Sequence, residues 1–148
     1  MEITEIEAIP ISVPYNIDFD IAGGGMATAD HVLVRLHTDV GVVGIGEASP
    51  SPFFAAETMG GVVIAVEDHI APAIEGKDPA NLTEIHAAME VAIKGNPFAK
   101  TAVDIACFDA TGRHLGVPVS TLLGGRVKDR IQVGQSIGIK DVEDAVAD

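Results

Sequence analysis

The stretch GNPFAKTAVDIACFDATGRHLGVPVSTLLGG, residues 95–125, decides how this chain folds. Asn96-Pro97 reads as the opening of a long helix, since proline's fixed φ suits a first helical turn and its missing N–H has no intrahelical role there. The other end is equally well signalled, with Gly116 at the position that takes a left-handed backbone and Pro118 unable to continue the helix. Asp109 and Arg113 stand four apart and are expected to pair on the helix surface. Asp104 and Asp109 stand five apart, off any one tight face, which weakens a paired-carboxylate catalytic reading. Cys107 sits among apolar residues of the same helix and is the chain's one cysteine. It reads as a buried structural thiol, and a single cysteine permits neither an intrachain disulfide nor a cysteine-based metal site.

Upstream the pattern stays helical, then changes period. Asp78-Pro79 is expected to open a helix with Leu82, Ile85 and Met89 on one stripe, and residues 55–74 carry a weaker helical pattern loosened by Gly60 and Gly61. Before that, alternation of period two takes over. Residues 2–14 read as a strand with Ile3, Ile9, Ile11 and Val13 on one face, Glu5 and Glu7 off it, and Pro10 and Pro14 marking a sheet edge. HVLVRLH, residues 31–37, is a second strand with Val32, Val34 and Leu36 inward. TDVG is a turn and VVGIGEA, residues 42–48, the returning strand. The first half is therefore an antiparallel three-stranded meander and the second a helical bundle, an α+β order.

Two connections stand out. Residues 15–30, YNIDFDIAGGGMATAD, have no clear period, three consecutive glycines, and apolar content in Phe19, Ile21 and Met26. A lid over a small ligand and an ordinary surface loop weigh about equally on these residues alone. SPSPFF, residues 49–54, reads as a second, stiffer loop. Gly44-Ile45-Gly46 is no dinucleotide fingerprint, because Ser49 stands where a third glycine belongs and prolines follow where a phosphate-binding helix would start.

Composition excludes several classes. The net charge of −13, from 22 acidic against 9 basic residues, argues against nucleic acid and anionic membranes as partners. No run of eighteen apolar residues is present, and the N-terminus has acids where a secretory signal needs bases, so a cytoplasmic protein is expected. The five histidines are scattered without metal-ligand spacing.

Past the long helix, IQVGQSIG, residues 131–138, reads as a new strand, and Asp141 as the cap of a helix beginning VEDAVAD. Gly134-Gln135-Ser136-Ile137-Gly138 also fits the nucleophile elbow of a serine hydrolase. In that fold the triad partners follow the serine, yet no histidine follows Ser136. A non-catalytic interaction module is a third reading.

Taken together, the GVVGIGEASPSP hairpin and the 95–125 block resemble the N-terminal capping domain of the enolase superfamily, in its muconate-lactonizing and mandelate-racemase branch. Gly44, Gly46, Glu47 and Ala48 carry the first part; Thr101 to Ala106, Asp109, Gly112, Arg113, Pro118, Leu122, Leu123, Gly124 and Gly125 carry the second. The resemblance implies a cap over residues 1–128 and the start of a (β/α)₇β, TIM-type barrel over 129–148. It implies a Mg²⁺-dependent isomerase or lyase (racemase, cycloisomerase or dehydratase) that removes the proton α to the carboxylate of a small-molecule substrate. Metal ligands and catalytic lysines would lie on barrel strands beyond this chain, so the chain alone is expected to be inactive and its parent longer, a homo-oligomer. By position the substrate contacts would come from Ile21, Gly23, Gly24 and Met26 of the first loop, Pro52 and Phe53 of the second, and Gln135 and Ser136 at the end of the first barrel strand.

Overall fold

The computed structural model describes residues 1–15, 20–21, 24–25, 27–52, 56–134, 139 and 141–143. Strands β1 (Ile3–Pro14), β4 (Thr28–Thr38) and β5 (Val43–Ala48) form an antiparallel sheet in the order β1-β4-β5. The β4–β5 turn places Gly41 at φ 76°. The Thr38 hydroxyl donates to Val42 O and accepts from Val42 N–H, closing the turn at 2.8 and 3.1 Å. Val32, Val34 and Leu36 are fully buried from β4, each contributing about 1.5–3 kcal/mol relative to exposure.

The facing of β1 differs from the expectation. Ile6 and Ala8 are buried, while Ile9 and Val13 lie on the open face with Glu5 and Glu7. The cause is a β-bulge between Ile3 and Glu5, which keeps Ile3 inside and shifts the alternation of everything after it. Alternation also puts Pro10 and Pro14 at the positions that share Ala8's outward N–H direction, where a missing donor breaks no ladder bond. Ala8 N–H itself donates to Glu67 Oε1 at 3.3 Å. On the opposite edge Ile45 N–H donates to Asp109 Oδ2 at 2.9 Å.

Helix α1 (Met59–Ile64), a π-helical turn (Ala65–Ile70) and α2 (Ala71–Ile74) run as one continuous rod. Pro72 lacks the N–H that a straight α-helix would send back to Asp68, and the backbone widens just before it. Helix α3 (Leu82–Ala92) begins later than the Asp78-Pro79 signal, because Asn81 supplies the cap, its side chain accepting from Glu84 N–H. Ile85 and Met89 are buried as its stripe requires.

Helix α4 (Pro97–Leu115) is the spine of the molecule and packs directly on β5. Its end is a Schellman motif, with Val117 N–H bonded to Gly112 O at 2.9 Å, Gly116 N–H to Arg113 O at 3.3 Å, and Gly116 at φ 67°. The glycines of β5 serve this contact. A Cβ on Gly46 would overlap the carbonyl oxygen of Ala102, and one on Gly44 the carbonyl oxygen of Ala106, with Ala110 Cβ only 2.8 Å from it. Gly44, Gly46 and Ala48 on the strand and Ala102, Ala106 and Ala110 on the helix thus form a small-residue seam that brings the two backbones together. A short helix, α5 (Val119–Leu122), then ends at Gly124 and Gly125, with φ 98° and 111°.

The strand expected at 131–138 is not seen in its described part. Residues 131–134 carry no strand pairing, and Ile131 and Val133 are 81% and 92% exposed. A strand exists only through a partner ladder, and among the described residues none lies alongside it. Val142 and Glu143 are helical after Asp141; Gln135 and Ser136 lie outside the described residues.

Candidate functional site

The two loops singled out in the sequence leave the sheet at the same end. Pro14 pairs with Thr28, and Tyr15 N–H bonds Ala27 O at 3.1 Å, so the excursion between them projects from that end. Ala48 pairs with Val32, so the segment after β5 starts beside it. Within the first loop, β2 (Asp20–Ile21) and β3 (Gly24–Gly25) pair as a tiny hairpin, Asp20 with Gly25 and Ile21 with Gly24, where the sequence showed no period. Tyr15 and Thr28–His31 from one loop base, with Ser49–Pro52 from the other, line a cleft of about 130 Å³.

Hydrogen bonding fixes the floor of this cleft. Asp30 Oδ1 accepts from the Ser12 hydroxyl at 2.6 Å and from Thr28 Oγ1 at 3.2 Å. His31 Nδ1 lies 2.5 Å from Glu47 Oε1, across from β4 to β5. That approach is an ion-pair distance but not along a hydrogen-bond direction, which leaves Nδ1 buried without a hydrogen-bond partner. Farther along β4 on the same open face, Glu7 Oε2 of β1 meets His37 Nε2 at 2.9 Å and Arg35 Nη1 at 3.0 Å. The His37 hydrogen bond holds the Glu7 carboxyl below its ordinary value, against a smaller desolvation and with the Arg35 charge helping.

Of the expected site residues, Pro52 lines the cleft and is exposed. The backbones of Ile21 and Gly24 pair in the small hairpin. Gly23, Met26 and Phe53 lie outside the described residues, as do Gln135 and Ser136. The residues at the loop bases, Tyr15, Asp30, His31 and Ser49, were missed in the sequence. Period two alone puts His31 on the open face beside β5, which was the available signal.

Several other chemistry-bearing groups pair off elsewhere. Asp104 Oδ1 meets His86 Nε2 at 2.6 Å, while Asp109 Oδ2 takes Arg113 Nε at 2.8 Å and Ile45 N–H. The two acids thus serve separate partners, as their spacing implies. Lys100 Nζ meets Glu90 at 2.5 Å and its hydrogen bond holds that carboxyl below its ordinary value. Cys107 is buried, and burial, aided by the Asp104 charge, pushes its thiol up to about 12, far from a nucleophile's range. Among the described residues no three histidines, cysteines or carboxylates converge to hold a metal. Mg²⁺ thus finds no fitting donor set among the described residues. No helix among the described residues is long and apolar enough to cross a membrane.

A meander sheet backed by helices, with two loops converging at one end, defines an α+β capping domain. The family model described as "Mandelate racemase / muconate lactonizing enzyme, N-terminal domain" matches residues 4–124. The chain belongs to this family, the muconate-lactonizing and mandelate-racemase branch of the enolase superfamily, and forms its N-terminal domain. It is 34% identical over 143 residues to the N-succinyl-L-Arg/Lys racemase of Bacillus cereus, covering 97% of this chain and 39% of the relative. The crystal structure of that racemase superposes with a TM-score of 0.95 at 33% identity, over 99% of this chain and 40% of the other. Muconate cycloisomerase 1 of Pseudomonas putida is 36% identical over 125 residues, 83% of this chain and 33% of its own length. A dipeptide epimerase of Enterococcus faecalis, solved with Mg and the dipeptide L-Leu-L-Tyr, superposes with a TM-score of 0.80 at 35% identity, over 84% of this chain and 35% of that one. The chain thus spans about two fifths of the length of the racemase it matches.

Proposed function

We propose that this chain is the capping part of a Mg²⁺-dependent isomerase or lyase that abstracts the proton α to the carboxylate of a small-molecule substrate. The observation that carries the reading is the convergence of both loop bases on one cleft at one end of the sheet, in a chain that belongs to this family. Relatives named as racemase, epimerase and cycloisomerase support the reaction class. In this reading residues 1–128 are the cap and 129–148 begin the barrel. In this reading the metal and the catalytic base belong to residues outside this chain.

The cap's part is then physical. Ile21, Gly23, Gly24, Met26, Pro52 and Phe53 would close over the substrate, and Gln135 and Ser136 would touch it from the barrel side. Closure excludes water, which strengthens every electrostatic interaction on the enolate being formed. The test follows solvent deuterium entering Cα of N-acylamino acids and dipeptides by proton NMR, with Mg²⁺ present. The chain alone should exchange nothing, and the complete protein carrying it should exchange at least one such substrate. A complete protein that exchanges none and binds no Mg²⁺ would sink the reading.

A further inference from the structure

One buried acid is unused by anything above. Glu57 is only 8% exposed, nine residues past the end of β5. Its carboxylate accepts from Phe98 N–H at 2.9 Å and Ala99 N–H at 3.4 Å, the second and third residues of α4. Those donors are the ones a helix's own cap side chain normally satisfies. Here Asn96 has left-handed φ and ψ of 53°, makes no side-chain cap bond, and donates its amide to Lys94 O at 3.0 Å instead. The acceptor therefore arrives from a distant segment, bringing negative charge to the positive end of a 19-residue helix.

The neighbours of Glu57 make it a joint. Ala56 before it has φ 56°, a left-handed backbone that costs a non-glycine residue roughly 1 kcal/mol or more and persists only when its surroundings enforce it. Thr58 after it caps α1, its hydroxyl accepting from Gly61 N–H at 3.0 Å and its carbonyl from Val62 N–H at 2.9 Å. Two consecutive residues thus cap two different helices. The segment between β5 and α1 is tied at its start to the sheet, through Ala48 and Val32, and at its end to the N-terminus of α4.

We propose that Glu57 is a positioning residue: by capping α4 from outside, it sets the placement of residues 49–52 against Tyr15, and so the shape of the cleft. That this segment meets substrate rests on the function proposed above; the joint itself does not. Tyr15 is the one tyrosine in a chain without tryptophan, so its emission reports on the cleft alone.

The experiment compares Glu57→Gln with Ile85→Val, a core change in α3 away from the joint, both well below their melting temperatures. Glu57→Gln keeps the shape and removes the charge. Amide exchange at Phe98 and Ala99 should accelerate about tenfold or more, and acrylamide quenching of Tyr15 should shift. Ile85→Val should lower the melting temperature while leaving Tyr15 quenching unchanged. Equal Tyr15 shifts in both variants, or none in Glu57→Gln, overturns the proposal. Should Glu57→Gln fail to fold, Glu57→Asp, charged but shorter, takes its place, and unchanged Tyr15 quenching in that folded variant is equally fatal. A Tyr15 shift without α-proton exchange in the complete protein would defeat the function and leave the joint standing.

Discussion

The two faces of the sheet obey opposite rules. On the inner face, Gly44 and Gly46 meet Ala102, Ala106 and Ala110 so closely that one added carbon collides with backbone. On the outer face, Glu7, Arg35, His37, His31 and Glu47 pair side by side, partly wet. The inner contact is between two backbones, neither of which can move without the elements they belong to. The outer contacts join flexible side-chain ends that water can replace. Rigidity in this cap is therefore one-sided, and each of four measurements can break or sharpen that contrast.

The largest effect is expected at Gly46→Ala, which should lower stability by about 3 kcal/mol or prevent folding, read by urea denaturation. Ile45→Thr, one residue away on the outer face, should change it by less than about 1 kcal/mol. Comparable losses at both positions would abolish the contrast. Next comes the thiol of Cys107, on the packed side of α4. With its pKa pushed to about 12, it should resist a disulfide reagent at neutral pH by a factor of about 10³ or more until the protein opens. Prompt labelling of the native chain would mean that the seam breathes.

Asp109→Ala removes the acceptor for Ile45 N–H and the Arg113 partner at once. With Asp109 about a quarter exposed, a loss of about 1 kcal/mol is expected in chemical denaturation. A cycle with Arg113→Ala separates the two contacts, and most of the effect should survive without Arg113. The smallest effect belongs to Glu7. Its folded pKa is depressed, so its contribution is present above the unfolded value near 4.5 and disappears as pH falls through the lower folded value. Glu7→Gln should thus change the melting temperature slightly at pH 7 and not at all once the acid is protonated; a difference that grows as the pH drops would reverse the assignment.

These faces also show what the sequence discloses. Helix α4 was legible because its signals are local: Asn96-Pro97 at one end, Gly116 and Pro118 at the other. The inward face of β4 was legible from Val32, Val34 and Leu36. The facing of β1 was not, since a bulge at its start reverses parity without a proline or glycine to announce it. Nor was the reason for Gly44 and Gly46, which lies in a helix more than fifty residues away. In the candidate site, the loops stood out by composition, but their convergence on one cleft depends on strand register, and Tyr15, Asp30 and His31 carry no motif. Glu57 carries no sequence signal of its role, because its partners are 41 and 42 positions on. Residues 131–134 had a strand's composition without a strand's partner, and composition alone does not make a ladder.

The carboxylates at the sheet margins have a consequence for the chain's behaviour at high concentration. Open ladders recruit further strands, and stacked indefinitely they become fibrils. Here Glu67 occupies an outward donor of β1, prolines delete two more, and Asp109 occupies one on β5. Each margin carries its own terminator, so a growing cross-β stack would have to evict a charged side chain before adding its first rung.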